Sequence, residues 1–283
     1  MRPTMAASRI HLLEAGIVTE GRFAGSAGAP AALSGAVAER VPPAKRVRIP
    51  FQPRDRWLSA AREACRTLAD AVTATLTAGA TPVILGGECT LVAGSITGAL
   101  AVERDLALVY FDAHGDFNTL ATTPSHYVGG MCLAHVCGRT VGPLLWPGVR
   151  TIADDRVALV GARDLDPGEA RNLDASRLRR IPFDSEHAEA AGLLGFARQR
   201  TLWIHVDLDV IDPAEMPAVV TPVAGGPSLA AVTEVLRQLA AVSTIRGIEI
   251  CGYDPTRDES GRLAAPVAGL VAAAVGELAY ARG

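Results

Sequence analysis

The chain has 283 residues and a net charge of −3 at pH 7, with 49% hydrophobic and 20% charged residues. This length and composition are typical of a single α/β domain with a substantial core, and they exclude a largely disordered chain. The small negative charge gives no electrostatic reason to expect nucleic acid as a partner. No apolar stretch approaches the roughly 20 residues of a membrane span, and the first residues do not form the apolar core of a signal peptide.

The cysteines are five in number and scattered, at positions 65, 89, 132, 137 and 251. An odd count without a CxxC pair predicts neither a disulfide framework nor a zinc ribbon. We therefore expect a protein of the reducing cytoplasm. Cys132 and Cys137 lie in an apolar, helix-like stretch, which predicts that both belong to the core.

The chain begins with a less regular part of about 55 residues, in which the segment 21–53 is rich in Ala, Gly and Pro. We expect loop there, with at most one short helix. From Trp57 onward, apolar side chains at spacings of three and four predict a helix that stops near Gly79. Further predicted helices span residues 91–102, 186–198, 229–239 and 262–281, the third of them capped by Ser228, and predicted strands span 82–85, 106–111, 157–160, 201–206 and 245–251.

The predicted strands are continuous apolar runs that alternate with helices. This pattern is typical of a parallel sheet covered by helices on both faces, so we predict one three-layer α/β/α domain over residues 1–283. Sites in such sheets lie at the carboxyl ends of the strands. The polar motifs all follow predicted strands, at residues 86–90, 112–118, 161–164, 207–212 and 252–254.

Two of these strand ends are rich in aspartate. Asp112, His114 and Asp116 alternate after one strand, so their side chains point to one face, and Asp207 and Asp209 follow another strand. Taken singly, an Asp at a strand end can cap the next helix, and a His at a strand end can be a core residue. Clustered buried carboxylates repel one another unless cations compensate them, so the pattern predicts a site for more than one hard divalent cation.

These motifs resemble the ureohydrolase superfamily, which includes arginases and agmatinases. The resemblance runs from about residue 81 to 255, and four segments carry it: Phe111–Asp116, Val160–Glu169, Asp207–Pro213 and Thr221–Gly226. It implies an arginase-like fold, a small guanidino or amidino substrate, and a homo-oligomer, trimeric or hexameric. No membrane or nucleic-acid partner is implied.

The resemblance also implies two manganese ions bridged by hydroxide, which attacks the amidino carbon of the substrate. Asp112 and Asp207 would bridge the metals, Asp116 would bind one ion, and His114 and Asp209 would bind the other. Carboxylates and imidazole suit Mn²⁺, and two cations make hydroxide available near neutral pH. Asp116 is accordingly a candidate catalytic residue as well as a ligand.

Cys89 stands where the family usually has a histidine ligand. It is either a small core residue or a thiolate ligand. Four carboxylates already balance two divalent cations, so a thiolate would add a further negative charge. This addition should raise the pKa of the bridging water and favour Zn²⁺, Fe²⁺ or Co²⁺ over Mn²⁺ at that position.

Two other positions depart from the family pattern. Gly129 replaces the usual catalytic histidine, and His126 could substitute for it or be an exposed loop residue. Gly252 replaces the glutamate that holds the guanidinium in arginases, which removes a charge partner worth about 3–5 kcal/mol in a buried pair. Asp254 or Glu249 could compensate, although strand alternation does not point Glu249 at the site.

Recognition of an amino-acid end is retained in the sequence. Four residues match positions that bind the α-carboxylate and α-amino groups in arginases: Asn118, Ser125, Asp166 and Glu169. The acids of this set could instead cap a helix N-terminus. Tyr127 replaces a small polar residue of the family, and His205 is either a core residue or a residue that orients a ligand carboxylate.

Two hypotheses follow. The first is a binuclear metal-dependent hydrolase that cleaves a C–N bond of a guanidino or amidino substrate, such as a modified, less basic arginine like N-hydroxyarginine. The second is a non-catalytic or regulatory member of the superfamily that binds metal, motivated by Gly129 and Gly252. The intact set of aspartates favours the first hypothesis. A basic run at Arg177–Arg180 is interpreted as a solvated helix end or a contact between subunits.

Overall fold

Eight strands form one parallel sheet at the centre of the computed structural model, which describes residues 10–276 except 141, 143, 148, 188 and 189. The strands are β1 (Ile10–Ala15), β2 (Lys45–Arg48), β3 (Thr81–Gly86), β4 (Ala107–Phe111), β5 (Val157–Val160), β6 (Arg179–Ile181), β7 (Thr201–Asp207) and β8 (Thr244–Cys251). Their order across the sheet is β2-β1-β3-β8-β7-β4-β5-β6, and every neighbouring pair is parallel. The last strand of the chain therefore lies in the middle of the sheet.

Helices cover both faces of the sheet. They are α1 (Ala29–Arg40), α2 (Trp57–Thr77), α3 (Val92–Val102), α4 (Cys132–Val136), α5 (Pro167–Asp174), α6 (Leu193–Ala197), α7 (Leu229–Val242) and α8 (Ala264–Val275). One core cluster joins α1, α6, α7 and α8 to the sheet, and the other joins α2 to α5 to its opposite face. The predicted three-layer α/β/α fold is confirmed.

The apolar runs explain why the sheet is buried on both sides. All five residues of β4 are buried, and successive side chains alternate between the two cores. Val109 packs in the core beneath α7 and α8, whereas Leu108 and Tyr110 pack in the core beneath α2 and α3. Ser228 caps α7 as predicted, because its hydroxyl accepts a hydrogen bond from the Ala231 N–H at 3.1 Å.

The N-terminal part is more regular than its composition predicts. It contains β1, β2 and the 12-residue helix α1, with a 3-10 segment at Gly21–Gly28. The helix α1 carries a Gly and many Ala, so its intrinsic apolar periodicity is weak, and tertiary packing against α8 holds it. The helix predicted over 186–198 is shorter, since α6 has five residues. The closing helix begins at Ala264, and the last residues predicted for it lie outside the described part of the chain.

Both edges of the sheet are basic. β2 presents Lys45, Arg46 and Arg48, and β6 presents Arg179 and Arg180, which are exposed. The interpretation of Arg177–Arg180 as a helix end was wrong, because residues 179–181 pair with β5. Charged side chains on an edge strand disfavour pairing with another sheet edge.

One arginine ties together the loops that follow β5 and β7. The Arg163 guanidinium donates hydrogen bonds of 2.7 to 3.2 Å to five backbone carbonyls, those of Gly161, Asp209, Val210, Val223 and Ala224. Carbonyls in irregular loops lack the donors that a helix or a sheet supplies, and a single planar guanidinium supplies a donor to each of these. Arg163 thus fixes the loop that carries Asp209.

Replacing Arg163 with Met should lower the free energy of unfolding by about 2–4 kcal/mol, because several carbonyls lose a charged donor at once. Urea unfolding measures this change. The control is Arg237→Met, which removes an exposed ion pair with Glu234 on α7 and should cost less than about 0.5 kcal/mol. Equal losses in the two variants would show that Arg163 does not hold the loops.

Candidate metal centre and substrate cavity

A cavity of about 190 Å³ opens at the carboxyl ends of the central strands. It collects the polar residues that follow β3, β4, β7 and β8. The residues around it are Gly87, Glu88, Cys89, Asp112, His114, Asp116, Asn118, Ser125, Tyr127, Gly130, Asp164, Asp166, Glu169, Asp207, Asp209, Val220, Thr221 and Gly252. The strand-end motifs predicted to converge therefore do line one cavity.

Asp112, His114 and Asp209 form the first group of possible metal ligands. One donor atom from each lies within 4.8 Å of the others. His114 Nδ1 is 3.2 Å from Asp112 Oδ1 and 3.1 Å from Asp209 Oδ2. The other contacts of Asp209 hold its carboxylate in place, since Thr221 Oγ1 and the Ala113 N–H donate to it at 2.8 and 3.1 Å.

The second group consists of Cys89, Asp116 and Cys132, with donor atoms within 4.8 Å of one another. All three are buried. The Tyr110 hydroxyl donates to Asp116 Oδ2 at 2.6 Å, and the Cys132 thiol donates to the same oxygen at 3.1 Å. Cys132 is thus buried, as predicted, but it also belongs to this polar group. Sequence reasoning missed that role because an apolar helical stretch gives no sign of which side chain faces a strand end.

Asp207 lies at the carboxyl end of β7, at the cavity wall. Its Oδ1 accepts the Asp209 N–H at 3.0 Å, and its Oδ2 lies 3.5 Å from the Cys251 thiol. Behind Cys251, His205 is fully buried and pairs with Glu249 across 2.7 Å, while its ring stacks on Tyr110 at 4.0 Å. His205 therefore supports the ligand strands from within the sheet, away from the cavity.

The cavity concentrates negative charge. Burial, followed by the charges of neighbouring aspartates, raises the pKa of Asp112 and of Asp207 well above the ordinary value. Burial lowers the pKa of His114, but hydrogen bonds and charges from Asp112 and Asp209 outweigh it and raise this pKa to about 12. These acids therefore need a positive partner, and their oxygen, nitrogen and sulfur donors fit divalent metal ions.

Gly129 and Gly252, the two positions that depart from the family pattern, have different surroundings. A Cβ built at Gly129 would overlap the ring of Tyr127, so the tyrosine occupies the space beside this position. A Cβ at Gly252 would overlap the Asp207 carboxylate, and Gly252 has a φ of +82°, which favours glycine. The present backbone therefore excludes a larger residue at position 252.

Neither of the acids considered as a replacement at Gly252 lies at the cavity. Glu249 is fully buried against His205, and Asp254 accepts hydrogen bonds from Thr256 at 3.0 and 2.6 Å. Two acids line the cavity near Gly252: Asp207, whose carboxylate lies against it, and Glu88, which follows Gly87. Glu88 belongs to the strand-end motif at residues 86–90, in which the sequence pattern singled out Cys89 and gave no sign of a role for the glutamate before it.

His126 lies on an exposed loop with a φ of +58° and is not among the residues that line the cavity. Its backbone N–H donates to Thr123 Oγ1 at 3.1 Å. Its catalytic role stays a prediction.

All four residues predicted to bind an amino-acid end line the cavity. Asn118 Nδ2 donates to Asp166 Oδ2 at 2.9 Å, and the Phe117 N–H donates to Glu169 at 2.7 Å. Burial raises the pKa of Glu169 to about 7. The Asp166 side chain makes no capping hydrogen bond to α5, although Asp166 occupies the N-cap position. Its carboxylate is therefore available to the cavity.

Comparison with known proteins identifies the family. Residues 27–276 match the arginase family. The chain is 33% identical over 236 residues to an arginase of Brevibacillus brevis, covering 78% of each protein. It belongs to the arginase family. It is also 31% identical over 234 residues to an arginase of Bacillus caldovelox, covering 78% of this chain and 77% of that one.

Other arginase-family proteins extend the comparison. Over 169 residues, 58% of this chain and 59% of the other, it is 31% identical to an N(omega)-hydroxy-L-arginine amidinohydrolase of Streptomyces lavendulae. The structure of a Bacillus cereus arginase matches with a TM-score of 0.85 at 26% identity, covering 95% of this chain and 99% of that one. The chain is thus an amidinohydrolase-type enzyme. Within the described residues, no helix is both long and apolar enough to span a bilayer.

The metal-free protein should lose stability as the pH rises. Burial raises the pKa of Glu88 and of Glu169 from 4.5 to about 7. Because the folded state holds protons that the unfolded state releases, this contribution is complete below pH 4.5 and is lost as the pH rises through about 7. Melting temperatures in a chelator at pH about 5 and about 8 measure the effect.

The double variant Glu88→Gln/Glu169→Gln should flatten this dependence, and Glu39→Gln, on the exposed surface of α1, is its control. A metal-free protein whose melting temperature rises between these pH values would contradict the assignment of protonated acids to the cavity.

Proposed function

We propose that this arginase-family enzyme is a binuclear metal-dependent hydrolase that cleaves a C–N bond of a guanidino or amidino substrate with an amino-acid end. The observation that carries the proposal is the presence of two groups of metal donors in one cavity. The same cavity is lined by Asn118, Ser125, Asp166 and Glu169. Metal donors and recognition groups thus lie within reach of one small molecule.

The donors suit two divalent ions. Asp112, His114 and Asp209 would hold one ion, Cys89 and Asp116 would hold the other, and Asp207 would add its carboxylate from the end of β7. The oxygen and nitrogen donors favour Mn²⁺, whereas a thiolate favours Zn²⁺, Fe²⁺ or Co²⁺. When bound, such ions make hydroxide available near neutral pH and stabilise negative charge that develops on the substrate.

Residues around the ligands hold them in fixed orientations. Thr221 orients the Asp209 carboxylate, and Tyr110 orients that of Asp116. Hydrogen bonds of this kind set ligand geometry and basicity in metal sites. Cys132 is close enough to Cys89 and Asp116 to act as a further donor of the second group.

The amino-acid end of the substrate would bind on the β4 and β5 side of the cavity. Asp166 and Glu169 supply carboxylates for an ammonium group through charge-assisted hydrogen bonds. Asn118 and Ser125 supply uncharged hydrogen-bonding groups for a carboxylate. The capping alternative for Asp166 loses support, because its side chain makes no cap bond to α5.

Two substrates are proposed, arginine and a less basic, modified arginine. The similarity to an N(omega)-hydroxy-L-arginine amidinohydrolase and the glycines at positions 129 and 252 support the modified compound. A cytoplasmic homo-oligomer, trimeric or hexameric, stays part of the proposal because the family resemblance implies the assembly. The competing function is a non-catalytic metal-binding protein.

Purified protein loaded with Mn²⁺, Zn²⁺, Fe²⁺ or Co²⁺ should release urea, hydroxyurea or the matching amide from one member of a substrate panel. The panel contains arginine, N-hydroxyarginine, agmatine, guanidinobutyrate and formiminoglutamate. Asp209→Asn should abolish turnover and lower metal content, since it removes charge from a buried ligand. Product release and metal analysis are measured on the same samples.

The wild-type protein provides the decisive outcome. If it binds fewer than one metal ion per chain and turns over no member of the panel, the hydrolase proposal fails. If metal binds but no substrate is cleaved, the non-catalytic alternative is favoured.

Replacing Cys89 with His should raise the affinity for Mn²⁺ by about tenfold or more, because a neutral imidazole replaces a thiolate in an acid-rich site. The Cys89 thiol has a raised pKa, because it donates a hydrogen bond to Cys132 and is buried, so metal binding must also remove a proton. Competition with a fluorescent chelator measures the affinity. The control is Cys137→Ser, outside the cavity, and an unchanged Mn²⁺ affinity in Cys89→His would mean that Cys89 is a core residue.

A further inference from the structure

Glu88 is a buried carboxylate that neither group of metal donors includes. Glu88 is 3% exposed, and it lines the cavity just after the end of β3. The Thr19 N–H donates to its Oε1 at 3.1 Å, and the Thr19 hydroxyl donates to its Oε2 at 2.8 Å. The Tyr127 hydroxyl is a third hydrogen-bond partner of this carboxylate.

The partners of Glu88 carry no positive charge. Thr19 and Tyr127 are neutral, and the charged residue that acts most strongly on Glu88 is the acidic Glu20. In the described part of the chain, no Lys, Arg or His forms an ion pair with it. A buried carboxylate without a cationic partner is costly, so a positively charged ligand would be stabilised beside it.

The carboxylate also has capacity for another donor. Two carboxylate oxygens offer about four lone-pair positions, and three neutral hydrogen bonds leave room for a further one. Gly252 is directly adjacent to this wall, since its N–H donates to the Gly87 carbonyl at 2.9 Å. Gly252 also lines the cavity, and the group directly in front of it is the Asp207 carboxylate, which a Cβ would overlap.

The other acids of the cavity are placed differently. Asp112, Asp116 and Asp209 belong to the two groups of metal donors, and Asp207 lies at the end of β7. Asp164, Asp166 and Glu169 lie on the opposite, β5 side of the cavity. β3 and β5 are separated in the sheet by β8, β7 and β4. Glu88 is therefore the acid that faces the end of the substrate remote from Asp166 and Glu169.

We infer that Glu88 is a specificity-determining residue that binds a positively charged nitrogen group of the substrate, such as a guanidinium or amidinium. Thr19 and Tyr127 act as positioning residues that hold its carboxylate. The inference depends on the proposed function only for the class of substrate. Glu88 gives a cationic substrate a charge partner that Gly252 does not supply.

The test compares binding of arginine with that of citrulline, which has the same amino-acid end but a neutral urea group. In calorimetry on the metal-loaded protein, the wild type should prefer arginine. Glu88→Gln should weaken arginine binding by about tenfold or more and leave citrulline binding unchanged, because a charge-assisted hydrogen bond is lost. The preference for arginine over citrulline is the readout.

Glu169→Gln is the matched control. It removes a buried carboxylate from the side that binds the amino-acid end, which both ligands share, so it should weaken both and leave the preference unchanged. Metal content and melting temperature are measured for each variant. A folded, metal-loaded Glu88→Gln that keeps the wild-type preference overturns the inference.

If Glu88→Gln does not fold, Glu88→Asp gives a second test. It keeps the charge but withdraws it by one methylene, so the preference for arginine should fall by about threefold or more, and an unchanged preference again overturns the inference. Product release is measured separately from the binding of arginine and citrulline, so absence of product from every substrate defeats the proposed function without deciding the role of Glu88.

Discussion

The site depends on the repulsion among buried carboxylates at one edge of a parallel sheet. Asp112, Asp116, Asp207 and Asp209 are all buried there, with His114 as the cationic group between two of them. The rest of the site is arranged around this unfavourable cluster. Tyr110 and Thr221 orient the acids, and Arg163 fastens the loop that carries Asp209 through hydrogen bonds to backbone carbonyls. Such a cluster is stable as a binding site because divalent cations can neutralise it.

The sequence predicted the sheet and its metal ligands for a shared physical reason. Continuous apolar runs produced β4, β5, β7 and β8, and side-chain alternation after β4 put Asp112 and His114 at the same cavity. These signals are local, so one sequence is enough to reveal them. The N-terminal elements were missed because α1 is held by packing against α8 rather than by its own periodicity. Their formation depends on residues more than 200 positions away in the chain.

The roles of Cys132 and Glu88 were out of reach for the same reason. Cys132 contacts Asp116, and Glu88 contacts Thr19, through tertiary packing alone. Tyr127 is the clearest example of a role that the sequence does not reveal. Its ring fills the space beside Gly129, which only the folded structure shows. The groups of possible metal donors were visible in the sequence, whereas the cavity wall built by Thr19, Glu88 and Tyr127 is visible only in the folded structure.

The position of β8 has a consequence for how the molecule assembles. β2, β1 and β3 form one half of the sheet, β7, β4, β5 and β6 form the other, and β8 alone lies between them. During synthesis on the ribosome, both halves emerge before the strand that joins them, so each half presents an unpaired inner edge until residues 244–251 arrive. Insertion of β8 brings Gly252 against Gly87 and closes the cavity. Insertion of β8 thus completes both the hydrophobic sheet and the wall of the cavity in a single late step, and truncation before β8 would leave two aggregation-prone half-sheets.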